Sequence, residues 1–230
     1  MPDFRYAQYC SLARAAEIVG YRWVLLILRE LFLGPQRFSD LRRRLAGVSP
    51  SVLAHRLALL ESAGVVARRE LPPPAATTVY ELTASGRALE PALLALARWG
   101  ARRMGLPRPG DHVEPEWLRM GAVAFARRTS TPARRFELVV VDGAREAVVR
   151  CAGGAQGTHL LDDDGAAVDA RVRAPLAVAL GLMSGLLAPA QALAHPDVRV
   201  EGDAAALADL PRLFDMALED PSQLKEGANP

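Results

Sequence analysis

The chain has 230 residues, half of them hydrophobic and 23% charged, with a formal net charge of +2. That length suits one large or two modest domains with an ample core, and two cysteines, Cys10 and Cys151, exclude a disulfide framework. The opening MPDFRYAQYC lacks the charged-then-apolar order of a secretory leader, so the expected location is the cytoplasm.

The net charge hides an asymmetry. Residues 1–104 carry 15 arginines against 8 acidic residues, a balance of +7, whereas residues 105–230 carry 13 basic and 18 acidic residues, a balance of −5. A polyanion would meet only the first half. Arginine outnumbers lysine 27 to 1, a bias ascribed to codon usage.

In chain order, residues 14–33 read as an apolar helix. Residues 37–64, RFSDLRRRLAGVSPSVLAHRLALLESAG, follow as two short helices and a tight turn. Ser39 is the expected N-cap of the first, with Leu41 and Leu45 forming its buried stripe. Gly47 supplies the stop between the helices. Ser49 caps the second helix and Pro50 takes its first position, where a missing amide hydrogen costs nothing. Leu53, Leu57 and Leu60 recur at helical spacing and face inward, which turns Ser51, Val52, His55 and Arg56 outward in the half that a recognition helix presents to base edges. The same pattern also suits an ordinary helical hairpin. Arg42, Arg43 and Arg44 of the first helix either approach a phosphate backbone or solvate that helix.

Residues 65–70 and 78–82 alternate as two strands around a proline-rich loop, a wing with a basic arm. Arg68, Arg69 and the hydroxyls of Thr77 and Thr78 are placed to meet phosphates, contacts that supply affinity and register rather than sequence choice. Thr83 caps a long helix, TASGRALEPALLALARWGARRM, with Leu89, Leu93, Leu96 and Trp99 near one face. Apolar surface beyond what one monomer's core needs would form a dimer seam, setting two recognition helices one DNA turn apart, about 34 Å.

At this point a resemblance is carried by many spaced positions: residues 23–31 (WVLLILREL), Gly34-Pro35, Arg37-Phe38-Ser39-Asp40-Leu41, Ser49-Pro50-Ser51-Val52-Leu53, Arg56-Leu57, Leu60-Glu61, Ala63-Gly64 and Tyr80-Glu81-Leu82-Thr83. Over about residues 8–104 the chain resembles the HxlR-type winged helix-turn-helix regulators. The resemblance implies a homodimeric bacterial transcription factor on a pseudo-palindromic operator, dimerised through the terminal helices of this domain. Members of that family often carry Cys-Pro near the N-terminus, and in some the cysteine senses oxidants. Here Ser11 follows Cys10, so Cys10 is either a redox sensor or simply a small buried residue, the reading favoured here.

Residues 105–110 (GLPRPG) break the pattern and mark a linker, taken as 105–114. Beyond it, residues 114–128 form an amphipathic helix with Trp117, Met120, Val123 and Ala124 on one side. Residues 136–141 are a strand, Asp142-Gly143 a hairpin turn and 147–151 its partner. Further strands are expected at 159–161 and 167–172, helices at 175–187 and from Pro189, a last strand at 198–201 and a terminal helix through Met216. Residues 174–194 hold no charge, but Pro175 and Pro189 bracket their helical part and Ser184 and Gln191 interrupt them. A buried helix therefore fits better than a membrane span. Strands followed by helices indicate an α+β domain over 115–230.

The run VDARV at 168–172, the apolar helix, LAPAQAL at 187–193 and VRVEGD at 198–203 resemble the end of a sterol-carrier-protein-like domain covering about residues 115–218. That resemblance implies a sheet with helices across one face and an apolar tunnel between the layers. Its candidate ligand-lining residues are Trp117, Val139, Leu176, Leu180, Met183 and Leu187. Helical spacing puts the last four on one stripe, which plain core packing would explain equally.

Catalytic constellations do not emerge. His55, His112, His159 and His195 are scattered, without metal-ligand spacing. The DDDG at 162–165 lacks the alternating ligands and closing glutamate of a calcium loop. Ser184 lies in GLMSG, which is not the nucleophile elbow. The expectation is a non-enzyme without cofactor or metal, and no membrane partner. Its first domain (1–104) is a mainly α winged helix-turn-helix module and its second (115–230) an α+β fold. Its partners would be double-stranded DNA, a second copy and an apolar small-molecule effector. Ser51, Val52, His55 and Arg56 would read bases or adjacent backbone, and Arg37, Ser39, Ser49, Arg69 and Thr78 would hold phosphates. The rival is a lipid or small-molecule carrier whose helix-turn-helix serves only oligomerisation.

Overall fold

The computed structural model describes residues 4–74, 76–104, 111–162 and 165–216, so the expected linker at 105–110 and Asp163-Asp164 lie outside the described residues. The chain divides into two compact units, Met1–Leu93 and Leu94–Pro230.

The first unit is built from α1 (Ser11–Val19), α2 (Val24–Phe32), α3 (Phe38–Arg44), α4 (Pro50–Ser62), β1 (Val66–Glu70), β2 (Thr78–Leu82) and the single turn α5 (Ala84–Arg87). The helix expected over 14–33 is two helices. The backbone turns left-handed at Trp23, with φ of 80°, and a bulky side chain in that conformation ends the regular ladder. On α2, Val24, Ile27, Leu28 and Leu31 are buried, the stripe that helical spacing dictates.

The start of α3 also differs from expectation. Arg37 occupies its cap position without a side-chain bond, and Ser39 lies inside the helix. The cause is long-range: Gln36 and Tyr80 exchange backbone bonds, Gln36 N–H to Tyr80 O at 2.9 Å and the reverse at 2.8 Å. That pairing holds the chain extended through Gln36, and the helix begins once it ends. Gly47, at φ of 89°, makes the turn that only glycine adopts freely.

In α4 the Ser49 hydroxyl accepts the Val52 amide at 3.3 Å and Pro50 opens the first turn. Leu53, Leu57 and Leu60 are buried, joined by Leu59. The wing pairs antiparallel from Val66↔Leu82 to Glu70↔Thr78.

The long helix expected after Thr83 breaks at Ala88-Leu89 into α5 and α6 (Glu90–Ala101). Thr83 does cap the first piece, its hydroxyl accepting the Gly86 amide at 3.1 Å. Pro91 explains the break, because it has no amide hydrogen and its ring would collide with the carbonyl four residues back.

The second unit carries a five-stranded sheet in the order β5-β4-β3-β6-β7, with β3 (Arg135–Asp142), β4 (Arg145–Ala152), β5 (His159–Leu161), β6 (Ala170–Pro175) and β7 (Arg199–Gly202). Only the β3–β6 pairing is parallel. The hairpin loop is Gly143-Ala144, one residue later than expected, because Asp142 still pairs with Arg145 and holds its guanidinium at 2.8 Å. Strand β6 starts three residues later than expected, in register with β3 from Phe136↔Ala170 to Val141↔Pro175.

Phe136, Leu138, Val140, Val149, Cys151, Ala170, Val172 and Ala174 form one sheet face. They share a core with residues of α6, α7 (Trp117–Phe125), α8 (Leu176–Ser184), α9 (Pro189–Leu193) and the closing 3-10 helix (Ala204–Leu213). The last element is not the α-helix expected through Met216. Pro211 lies inside it, and proline does not support an α-helical ladder. Helix α7 is shorter than 114–128, and its buried residues are Leu118, Ala122, Ala124 and Phe125. Trp117, Met120 and Val123 sit at the margin of that face, half-buried. Among the described residues, no helix is long and apolar enough to cross a membrane.

Candidate nucleic-acid interface

Helix α4 leaves Ser51 and His55 exposed, with Val52 and Arg56 half-buried beside them. The Ser49 and Ser51 hydroxyls lie 3.2 Å apart at the N-terminus of the helix, where amides and the helix dipole favour anionic oxygen. The Arg56 guanidinium lies over the Tyr21 ring, its central carbon 4.5 Å from the ring centroid. The Tyr21 hydroxyl in turn accepts the Phe4 amide at 3.1 Å. Trp23, from the same connection between α1 and α2, has its indole tip beside the turn glycine Gly47: a methyl added there would come within 3.8 Å of it. The Arg22 guanidinium lies over the same indole, 5.2 Å from the ring centroid.

Around this face the basic residues divide into two kinds. Arg37, at the start of α3, is exposed, as are Ser39 on α3 and Thr78 on the wing. Arg69 is on the wing but held by Glu81 at 2.9 Å. Arg68 is tied down more firmly, to Glu61 at 3.0 Å and to the Tyr80 hydroxyl at 2.8 Å, which braces β1 against the C-terminal end of α4. Arg44 neither reaches outward nor solvates its helix. It turns inward toward Glu30 at 3.4 Å, and Arg29 meets the same carboxylate at 2.7 Å.

Glu30 is thus a structural anchor that the sequence reading missed. Its position three residues after Ile27 on an apolar helix could have betrayed it. Tyr21 was missed as well, and no local pattern announces a ring that stacks on a residue 35 positions away.

Cys10 is exposed at the N-terminus of α1, which corrects the buried reading. Its thiol pKa lies below the ordinary value because of the Ala13 backbone amide and then that of Leu12. Cys151 is the buried one, in the core of the second unit, and burial pushes its pKa up to about 12.

In the second unit the residues expected to line a tunnel are divided between the core and its margin. Helix α8 points Val178, Ala179, Leu182 and Met183 into the core. Leu176, Leu180 and Leu187 pack at its edge, Val139 is buried and Trp117 sits edge-on to His112 at 5.7 Å between centroids. Gly181 leaves room for Leu187 only, since a methyl there would meet its Cβ at 2.9 Å. Two open clefts lie among the described residues of this unit. One, of about 670 Å³, runs past Arg119, Glu137, Arg150 and Arg171, and the other, of about 660 Å³, past Asp142, Arg173, Leu176 and Arg199. Both are bordered by ion pairs, and of the six expected ligand residues only Leu176 borders either cleft.

Residues 18–106 match the HxlR-like helix-turn-helix family and residues 124–215 the SCP-2 sterol transfer family. The chain is 38% identical over 120 residues to the uncharacterized HTH-type transcriptional regulator Rv3095 of Mycobacterium tuberculosis, covering 47% of this chain and 74% of that protein. It is 41% identical over 86 residues to the uncharacterized HTH-type transcriptional regulator YvaP of Bacillus subtilis, covering 37% of this chain and 80% of that one. Among solved structures it is similar to the reduced form of the transcriptional regulator YodB from B. subtilis, at 31% identity and a TM-score of 0.37, covering 45% of this chain and 100% of that one.

Proposed function

The chain belongs to the HxlR-like helix-turn-helix family of transcriptional regulators, and from that premise we propose that it binds a pseudo-palindromic duplex operator as a homodimer. The observation that carries this reading is the outer face of α4, where Ser49, Ser51 and His55 are exposed around a preset Arg56. In this reading Ser51, Val52, His55 and Arg56 meet base edges. Arg37, Ser39, Ser49, Thr78 and, less strongly, Arg69 meet phosphates.

The dimer seam is supported by large apolar side chains left exposed on α1 and α2 of the first unit, Leu12, Leu25 and Leu26. A seam of that composition buries what a monomer exposes.

The second unit takes an apolar small molecule in this reading, on the strength of the SCP-2 match. Met183 is completely buried, so entry requires α8 to part from the sheet. That opening is the two-state element through which an effector would alter operator affinity, acting only by its differential affinity for the two states.

Fluorescence anisotropy with duplexes selected from a random library tests the DNA reading. Specific binding should exceed that of a scrambled duplex at least about 10³-fold and fall steeply with salt. Equal affinity for both duplexes would leave the carrier alternative standing. Mass spectrometry of denatured protein tests the effector arm through a co-purified apolar compound, and an added compound that saturates the protein without changing operator affinity would refute the coupling.

A further inference from the structure

The side chain best placed to read a base does not stand free. Arg56 leaves α4 two turns after its cap and comes to rest over the Tyr21 ring at 4.5 Å, with its Nε buried and without a hydrogen bond. Tyr21 itself is fixed. It directly follows the Gly20 cap of α1, its carbonyl accepts the Val24 amide at 3.1 Å, and its hydroxyl accepts the Phe4 amide at 3.1 Å. One ring therefore joins the N-terminal segment, the α1–α2 connection and the outward face of α4.

We propose that Tyr21 is a positioning residue for DNA reading: its ring holds the Arg56 guanidinium preset on the recognition face. The inference rests on the assignment of Arg56 as a base contact. A guanidinium held over an aromatic ring is attracted by the ring's quadrupole, and that attraction uses up none of the hydrogen-bond acceptors of a base. With Nε buried, the terminal N–H groups are the ones left to make paired bonds to guanine O6 and N7. Arginine is also among the side chains with most rotamer freedom to lose on binding. A ring that removes part of that freedom beforehand raises specific affinity without adding any contact to DNA. Tyr21 acts only through Arg56, and a non-specific duplex that offers no guanine edge in register gains nothing from it.

The test uses the full-length chain, the duplex recovered by random-library selection with the wild type, and a scrambled duplex of equal length. Tyr21→Leu keeps an apolar side chain and removes the ring face. Specific affinity should fall about five-fold, and scrambled-duplex affinity should stay within two-fold. Tyr21→Phe should retain specific affinity. In an Arg56→Ala background Tyr21→Leu should cost nothing further. Phenylalanines of increasing fluorine content at position 21 change the ring's quadrupole at nearly constant size, so they serve even where the leucine variant fails to fold. Specific affinity should fall stepwise along that series.

Unchanged specific affinity in Tyr21→Leu or across the fluorinated series overturns the proposal. An equal loss on both duplexes that persists without Arg56 overturns it too, since that is what mere support of the fold would give. Failure of the wild type to select any sequence is a separate result: it removes the DNA reading itself and this inference with it.

Discussion

The Arg44 guanidinium of α3 lies 3.4 Å from the Glu30 carboxylate of α2, and Glu30 is fully buried between Arg44 and Arg29. One carboxylate thus fastens the first helix of the helix-turn-helix to the helix beneath it. A buried carboxylate is tolerable only when paired, and removing it leaves two guanidinium groups facing a site built for an anion.

Glu30→Ala should therefore destabilise the first unit by about 3 kcal/mol, the lower end for a broken buried pair because both arginines keep some contact with water. Glu30→Gln should cost less, as its amide oxygen still accepts a bond. Urea denaturation followed by tryptophan fluorescence measures both, and a loss under about 0.5 kcal/mol for the alanine variant would remove Glu30 from this role.

The two cysteines make opposite predictions. Cys10 is exposed with its pKa lowered by the Ala13 and Leu12 amides, and Cys151 is buried with its pKa near 12. The thiolate is the reactive form. At pH 7 a thiol reagent should modify one cysteine per native chain, Cys10, and both only in denaturant. The Cys10 rate should fall as the pH drops through its lowered pKa, since protonation removes the nucleophile. Mass spectrometry of the alkylated peptides decides the matter, and modification of native Cys151 at a comparable rate would contradict it.

How far the sequence spoke depended on whether a local rule set the outcome. Ser49-Pro50 followed by leucines at 53, 57 and 60 leaves one solution for α4, and cap, stripe and outward face all follow from it. Pro91 was equally visible, but the leucines at 89, 93 and 96 continue a helical period across it and disguised the break. The start of α3 is set by the Gln36–Tyr80 pairing across 44 residues, which no window on Ser39 contains. Helix α8, LAVALGLMS, has no polar residue before its final serine. Its periodicity is mute about which side faces in, and the stripe Leu176-Leu180-Met183-Leu187 is one of several that it allows. The site divides likewise: exposure of Ser51 and His55 was legible, whereas the restraint on Arg56 and the inward turn of Arg44 were not.

The packing of α8 carries a stability prediction. Met183 is fully buried in the core, whereas Leu186, just past the helix, is half exposed. Met183→Ala removes most of a buried side chain and leaves a cavity, so it should cost about 2–4 kcal/mol. Leu186→Ala should cost under about 1 kcal/mol, because water already reaches it. Equal losses in chemical denaturation would mean that the tunnel between helix and sheet is open in solution and that Met183 lines it.

The division of the basic residues predicts distinct salt behaviour. Arg37 is exposed and makes no ion pair among the described residues, whereas Arg69 is already held by Glu81 at 2.9 Å. A phosphate contact from Arg37 releases a counterion from DNA without first breaking an internal pair, and one from Arg69 must exchange Glu81 for phosphate. Arg37→Ala should thus lower affinity for selected and scrambled duplexes alike. It should also flatten the slope of log affinity against log salt by about 1. Arg69→Ala should flatten it less, and Glu81→Gln should strengthen binding to both duplexes by freeing Arg69. Arg56→Ala differs in kind: it should weaken the selected duplex by about 1–3 kcal/mol and the scrambled one little. Anisotropy titrations across a salt series separate these patterns. An Arg37 variant with an unaltered slope would place α3 away from the phosphates, and an Arg56 variant that weakens both duplexes equally would make that side chain a backbone contact.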